Sequence, residues 1–399
     1  MPIGVFVLAV AVFAQGTSEF MMSGLVARTA ADFGVSLGTV GLLTSLYAVG
    51  MVLGAPTMAA TAGRLPLRRS ATTFLALFCL AHVVGALTAE FGVLVATRVI
   101  AAVANAGFLA VVLAVVLAAL PRLVGAAQIG RATSVIVSGV TVACIAGVPA
   151  GTVLGQLWGW RSAFWAVAVI GAGVLVAMVL TLPLDDRDRS TVSIPSVRSE
   201  WAVLGVRRVR AAVVVGILVN AATFAGFTYL GTLTAQLAGP DSGWVPVVLA
   251  VFGIGSFAGV TSAGRHSDRH GGRIIAVGTV GLVGVWALAA LTAQSIAAMA
   301  IMTFVVGAVA LGVGSTLIAT IVRSATPTAP RLAGALATTA LNIGAVLGPV
   351  TAGVIVDRVG DPVAALWCGA ASAAVAAVIV LVGRRGRHPA PEEVGVDVR

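Results

Sequence analysis

Residues 3–26 read IGVFVLAVAVFAQGTSEFMMSGLV. A helix of this length reaches roughly 36 Å, enough to cross about 30 Å of hydrocarbon. The run is apolar apart from the segment Gln15-Gly16-Thr17-Ser18-Glu19, and Glu19 is its one acid. A charge near a bilayer centre costs on the order of 2.5–3.5 kcal/mol on insertion scales, so such residues face a cavity, a partner or an ion path. No basic residue precedes the run, and its polar segment breaks the uniform apolar core of a signal peptide, so it is expected to stay in the membrane.

Similar runs recur to about Gly383. The chain has 399 residues, 59% hydrophobic and 10% charged, and its mean hydropathy of +1.08 excludes an ordinary soluble protein. Twelve spans are expected, at 4–26, 39–62, 71–89, 92–119, 133–156, 162–182, 211–236, 244–263, 274–293, 296–321, 333–356 and 362–383. The apolar runs do not alternate as barrel strands would, so the fold class is an all-α membrane protein. The longest polar connection divides it into an N-terminal six-helix bundle (1–182), a cytoplasmic linker (183–210), a C-terminal six-helix bundle (211–383) and a tail (384–399).

Charge distribution sets the orientation. Of 24 basic residues, all arginine, twenty fall on even-numbered connections and the tail, three (Arg28, Arg161, Arg358) on odd-numbered ones, and Arg98 lies within the fourth span. The positive-inside rule then puts both termini in the cytoplasm, and the net charge of +10 reports topology rather than a nucleic-acid partner. Cys79, Cys144 and Cys368 all fall within spans and read as small apolar packers.

The two halves repeat. Gly151-Thr152-Val153-Leu154 and Trp165 recur as Gly353-Val354-Ile355-Val356 and Trp367 at a constant offset. A Gly/Pro cluster precedes each: Gly147-Val148-Pro149-Ala150-Gly151 and Gly348-Pro349. Small residues permit close helix approach and Pro kinks the span, so the fifth helix is expected to form a tight, bendable seam with the other half. A basic turn with one acid, Gly264 to Arg273, follows the eighth span, and Gly63-Arg64 to Arg69 is its counterpart. Transporters built from such repeats bind substrate near the midplane, between halves that rock.

With Gly264, Asp268, Arg269, Gly271 and Arg273 matching the pattern G-x-x-x-D-R-x-G-x-R, the chain resembles the major facilitator superfamily. The intramembrane Arg98 and the fifth-span Gly139, Gly147, Pro149, Gly151 and Gly155 point to its twelve-span drug/proton antiporters. Phe13 to Met21, with Gly41-Leu42-Leu43-Thr44-Ser45 and Gly54-Ala55-Pro56, is similar to actinomycete chloramphenicol exporters. The resemblance implies a major facilitator fold and alternating access. It also implies a gate made of Arg64, Gly147, Pro149, Gly151, Gly264, Asp268, Arg269 and Arg273, in which the loop after the eighth span latches the halves on the cytoplasmic side.

Gln15, Glu19 and Ser23 share a helical face that wants a cavity. Burial disfavours the carboxylate ion, which suits Glu19 to loading and unloading by a proton gradient; the competing role is a protonated side chain that only packs. Arg98 is the candidate to couple to it, or else a helix-positioning cation. Gln15, Glu19, Thr44, Asn105, Asn220, Tyr229 and Asn342 are the candidate substrate contacts, against plain helix–helix bonding. His82, alone in the third span, reads as packed. His266 and His270 sit among arginines that would repel a metal, and no Walker loop is present. The expected function is proton-coupled export of a small amphipathic drug, chloramphenicol foremost, from the plasma membrane. The protein would act as a monomer without cofactor, with the proton gradient as energy source. A sugar or metabolite exporter is the alternative within transport, and a membrane-embedded sensor the alternative outside it.

Overall fold

A computed structural model describes residues 3–62, 67–118, 129–181, 202–329 and 333–385. All regular structure among them is helical, as hydrocarbon demands of a backbone that must satisfy its own hydrogen bonds. The first crossing is α1 (Ile3–Phe20) and a 3-10 turn, Met21–Gly24. Then come α2 (Val26–Phe33), α3 (Leu37–Ala62), α4 (Leu67–Leu87) and α5 (Phe91–Ala118). Next are α6 (Ile129–Val142), a π segment (Ala143–Gly147), α7 (Val148–Trp158) and α8 (Arg161–Thr181). The second half contains α9 (Arg207–Ala238), α10 (Trp244–Leu291), α11 (Ile296–Ala325), α12 (Ala333–Val359) and α13 (Ala364–Arg385). The expected linker falls largely outside the described residues, as do Arg64 and most of the tail.

Among the described residues, eleven helices are long and apolar enough to cross a membrane, yet they make twelve crossings. At 48 residues, α10 would reach roughly 72 Å if straight. Its neighbours on α11 show that it doubles back. Gly255 packs on Phe304, Gly259 on Ala308, and Ala263 beside Gly312, in parallel order. Gly271 then lies by Thr316 and Gly278 by Val313, in antiparallel order. The chain therefore reverses between Ala263 and Gly271. Where a loop is expected from the sequence, the segment keeps its helical hydrogen bonding through the turn.

The fifth crossing changes pitch at its centre. The Val148 N–H donates to the Ala143 carbonyl, five residues back. Pro149, which follows, has no N–H to continue an α ladder, so the widened turn sits where the bond pattern is interrupted.

The halves meet along three seams. In the first, Gly38 of α3 crosses Gly353 of α12, and Ser45 donates to the Val346 carbonyl at 2.9 Å. The second sets Gly231 of α9 on the Ser23 carbonyl, and the third sets Gly253 of α10 on the Cys144 carbonyl. The last corrects an expectation about the fifth-span glycines. Gly147 packs on Thr17 of α1 within its own half, and a Cβ on Gly151 would find its nearest neighbour, on Met21, at an ordinary 3.7 Å. The fifth crossing does meet the other half, through the π-segment backbone and α7, but the close-approach glycine is one that the other half supplies.

Polar contacts close one end of the molecule. Arg28 pairs with Asp241 and donates to the Pro240 carbonyl at 3.1 Å. Gln156 reaches the Pro240 and Ser242 carbonyls. The Asp357 carboxylate accepts from Ser36 Oγ at 2.6 Å and from the Gly38 N–H at 2.9 Å, an anion at the N-terminus of α3. Among the described residues, every hydrogen bond between halves lies here or at Ser45. Below this seal, Arg161 and Trp160 donate to Asp32, holding its carboxyl below the usual range.

A Cβ at position 253 would stand 2.6 Å from the Cys144 oxygen, whereas Gly173 of α8 has open space around it. Gly253→Ala is expected to lower stability by about 1–3 kcal/mol, while Gly173→Ala leaves it level or slightly raised, as thermal melting in detergent will read. Because the Asp32 carboxyl is depressed, its contribution is present above the ordinary carboxylate pKa and is lost as pH falls through the lowered value. Asp32→Asn should therefore lower the melting temperature at neutral pH and flatten its decline below about pH 4.

Candidate functional site

The polar centre of the N-terminal half begins where α1 ends. The 3-10 turn after Phe20 frees carbonyls of the last α-turn from their usual amide partners. The negative end of a helix attracts a cation, and Arg98 of α5, only 1% exposed, meets it. Arg98 donates to the Ser18 carbonyl at 3.0 Å and to Ser18 Oγ at 3.0 Å. Its guanidinium lies over the Tyr47 ring of α3, 4.2 Å from the centroid. Two turns along α5, Asn105 donates to the Tyr47 hydroxyl at 3.0 Å. Ser18 Oγ also bonds His82 Nε2 at 2.7 Å, and His82 Nδ1 lies 2.8 Å from the Phe78 carbonyl. His82 is packed between the rings of Phe78 and Phe164. Four crossings are thus tied to one serine hydroxyl and one arginine.

Glu19 projects from the next position, turned roughly 100° from Ser18. It is partly buried, makes no hydrogen bond to another described residue, and lies within electrostatic reach of Arg98, Tyr47 and Cys144. Arg98 does not form a salt bridge with it here. In the same half, several buried polar atoms have no partner among the described residues: both amide atoms of Gln15, Thr44 Oγ1, Asn105 Oδ1 and Arg98 Nε. Buried groups of this kind are normally satisfied, so these mark where a polar ligand or water belongs.

Four of the expected substrate contacts, Gln15, Glu19, Thr44 and Asn105, therefore belong to the N-terminal half and its polar centre. The C-terminal ones are engaged elsewhere. Asn220 donates to the Leu341 carbonyl at 2.6 Å, and Asn342 to the Thr338 carbonyl on its own helix. The Tyr229 hydroxyl sits between Gly41 and Gly353 in the α3–α12 seam, facing the Pro349 carbonyl. What the C-terminal half brings is aromatic: Phe20 packs on Phe224 and Phe227, and Phe227 on Phe252.

The expected latch is bonded differently. Asp268 pairs with Arg323 of α11 at 2.8 Å, inside its own half. Gly264 has nothing near it, while Gly271 lets the hairpin lie by Arg323. Arg269 and Arg273 are exposed and Arg64 is outside the described residues. No hydrogen bond among the described residues crosses between halves at this end.

Ser18 and Tyr47 are not among the candidate site residues of the sequence, and His82 reads there only as packed, which it is, while also bonding Ser18. Like Glu19, His82 is a polar group in an apolar run. No spacing, however, joins position 82 to position 18.

Comparison with known proteins agrees with the geometry. The model of the Major Facilitator Superfamily matches residues 8–262 and 234–397. The chain is 45% identical to a chloramphenicol resistance protein of Streptomyces lividans over 95% of each chain. It is 31% identical to the inner membrane transport protein YdhP of Escherichia coli K12 over 66% of this chain and 65% of that one. Among solved structures, the nucleoside transporter NupG superposes with a TM-score of 0.79 at 11% identity, covering 95% of this chain and 98% of that one. A bacterial homologue of the human lysosomal transporter Spinster gives 0.69 at 17%, covering 95% and 94%. Both show the fold alone.

Lysine cannot reproduce two divergent bonds and a planar stack. Arg98→Lys should therefore lose nearly as much efflux as Arg98→Ala, about tenfold or more in either case. Transport by inverted vesicles at matched membrane abundance measures this, and a near-wild-type rate for the lysine variant contradicts the bidentate role.

Proposed function

Because the chain belongs to the major facilitator superfamily, we propose that it is a proton-coupled exporter of a small amphipathic drug, with chloramphenicol as the leading substrate. The substrate class rests on one observation, the 45% identity to a chloramphenicol resistance protein along 95% of both chains. Coupling is supported by Glu19, a partly buried carboxyl without a hydrogen-bond partner among the described residues, one residue from the anchor of Arg98.

The arginine asymmetry of the sequence favours cytoplasmic termini. On that orientation the sealed end faces outward. A drug entering from inside would exchange hydrogen bonds with Gln15, Thr44 and Asn105, whose unpartnered atoms suit amide and hydroxyl groups. Phe20, Phe224 and Phe227 suit an aromatic ring. Proton and drug then compete for the region around Glu19. Drug binding from inside favours loss of the proton, and after the halves rock, a proton from outside displaces the drug. The gradient supplies the energy, and a monomer without cofactor suffices.

Expression in a drug-sensitive host tests direction, substrate and energy source together. Chloramphenicol tolerance should rise several-fold and fall back with an uncoupler, with no comparable effect on a sugar panel. Glu19→Gln should return tolerance to the host level at normal membrane abundance. Wild-type protein that confers no tolerance, or full uncoupler-sensitive efflux by Glu19→Gln, contradicts the drug reading and the coupling role respectively.

A further inference from the structure

On α1, Arg98 bonds Ser18 by hydroxyl and carbonyl and also feels the charge of the next residue's carboxylate. It bonds Ser18 by both groups at 3.0 Å. Charge-assisted bonds to a carboxylate are roughly twice as strong as neutral ones, so something must favour the serine. His82 supplies it. The Phe78 carbonyl, 2.8 Å from Nδ1, can only accept, so Nδ1 carries the ring proton. Nε2 is then a bare acceptor 2.7 Å from Ser18 Oγ, and the serine hydroxyl donates to it. With its proton committed, Ser18 Oγ turns its lone pairs to Arg98. A doubly protonated ring would instead aim a second cationic N–H at the same oxygen.

We infer that His82 is a positioning residue for the coupling carboxylate: by accepting the Ser18 proton it keeps the Arg98 guanidinium on Ser18 and off Glu19. The inference rests on the reading of Glu19 as the proton carrier. Few ionisable groups surround this arrangement. Arg98 comes from α5, Tyr47 from α3, Cys144 from the π segment and Glu19 from α1. From α8 comes the Phe164 ring, and Cys79, on the helix of His82, lies against Gly171 of α8. Of these, only the Tyr47 hydroxyl also comes within reach of Ser18, and it already takes the Asn105 amide proton, whereas Nε2 has no other donor among the described residues. Without that acceptor, a helical serine turns to a carbonyl of its own preceding turn. Arg98 then loses half of its hold, and the carboxylate becomes its best partner. A cation at the carboxylate favours its ionised form, so Glu19 would take up a proton only at lower pH.

The test reads Glu19 protonation without any substrate. Dicyclohexylcarbodiimide modifies protonated carboxyls in apolar sites, and mass spectrometry locates the adduct, with Glu19→Gln as the blank. Labelling of Glu19 across pH in membranes should show a midpoint about one pH unit lower in His82→Leu than in wild type, a tenfold change in proton concentration. His82→Gln, whose amide oxygen takes the place of Nε2, should keep the wild-type midpoint. An unchanged midpoint in His82→Leu, or an equal fall in His82→Gln, overturns the inference. Should His82→Leu fail to accumulate, Ser18→Ala removes the same hydroxyl and must show the same fall; an unmoved midpoint there overturns it equally. Chloramphenicol efflux, measured in parallel, judges the exporter reading alone: wild type that labels normally but moves no drug fails that reading without touching this one.

Discussion

The bonds from Arg98 to Ser18 join a helix end to a charge in a medium that tolerates neither alone. A free carbonyl within hydrocarbon and an unpaired guanidinium are each costly, and their union removes both costs at once. Around it the first four crossings assemble: α1 supplies the carbonyl, α5 the cation, Tyr47 of α3 its stacking face and His82 of α4 the acceptor for the serine proton. Glu19, one residue on, is left without a partner. Its freedom is a consequence of how well its neighbour is satisfied.

The halves themselves are held by backbone approach more than by side chains. Gly38 against Gly353, Gly231 against Ser23 and Gly253 against Cys144 bring main chains together at distances no Cβ would permit. Such seams gain dispersion and weak polar contact without interlocking side chains. Within the N-terminal half, by contrast, large side chains such as Phe78, Phe108, Phe164 and Tyr47 are fully buried. Stiff bundles meeting along smooth lines are what a rocking motion needs.

Much of this was legible in the sequence, and the limits are physical. Twelve crossings could be counted because hydrocarbon thickness dictates run length, and Glu19 stood out because a charge there has a cost. The helical continuity of α10 was not legible, since Gly264, Gly271 and Gly272 among arginines resemble a loop. Arginine is a good helix former, and each glycine costs a helix only about 1 kcal/mol. Gly147 and Gly151 were assigned to the wrong neighbour because composition marks a small residue without saying which way its face turns. Asn220 and Tyr229 looked like ligand contacts because polarity in a span does not distinguish a group awaiting a partner from one that has found it within the fold. His82 met Ser18 across 64 positions of chain, a pairing that only the tertiary arrangement reveals.

The seal at the closed end has an electrical character that the glycine seams lack. Its ion pair, Arg28 with Asp241, joins a side chain 28% exposed to one 79% exposed, and solvent-exposed pairs weaken as mobile ions screen them within a Debye length of about 8–10 Å. The dry glycine contacts have no such sensitivity. Salt on that single face of the membrane therefore weakens this pair while leaving the glycine contacts and the intramembrane arginine untouched.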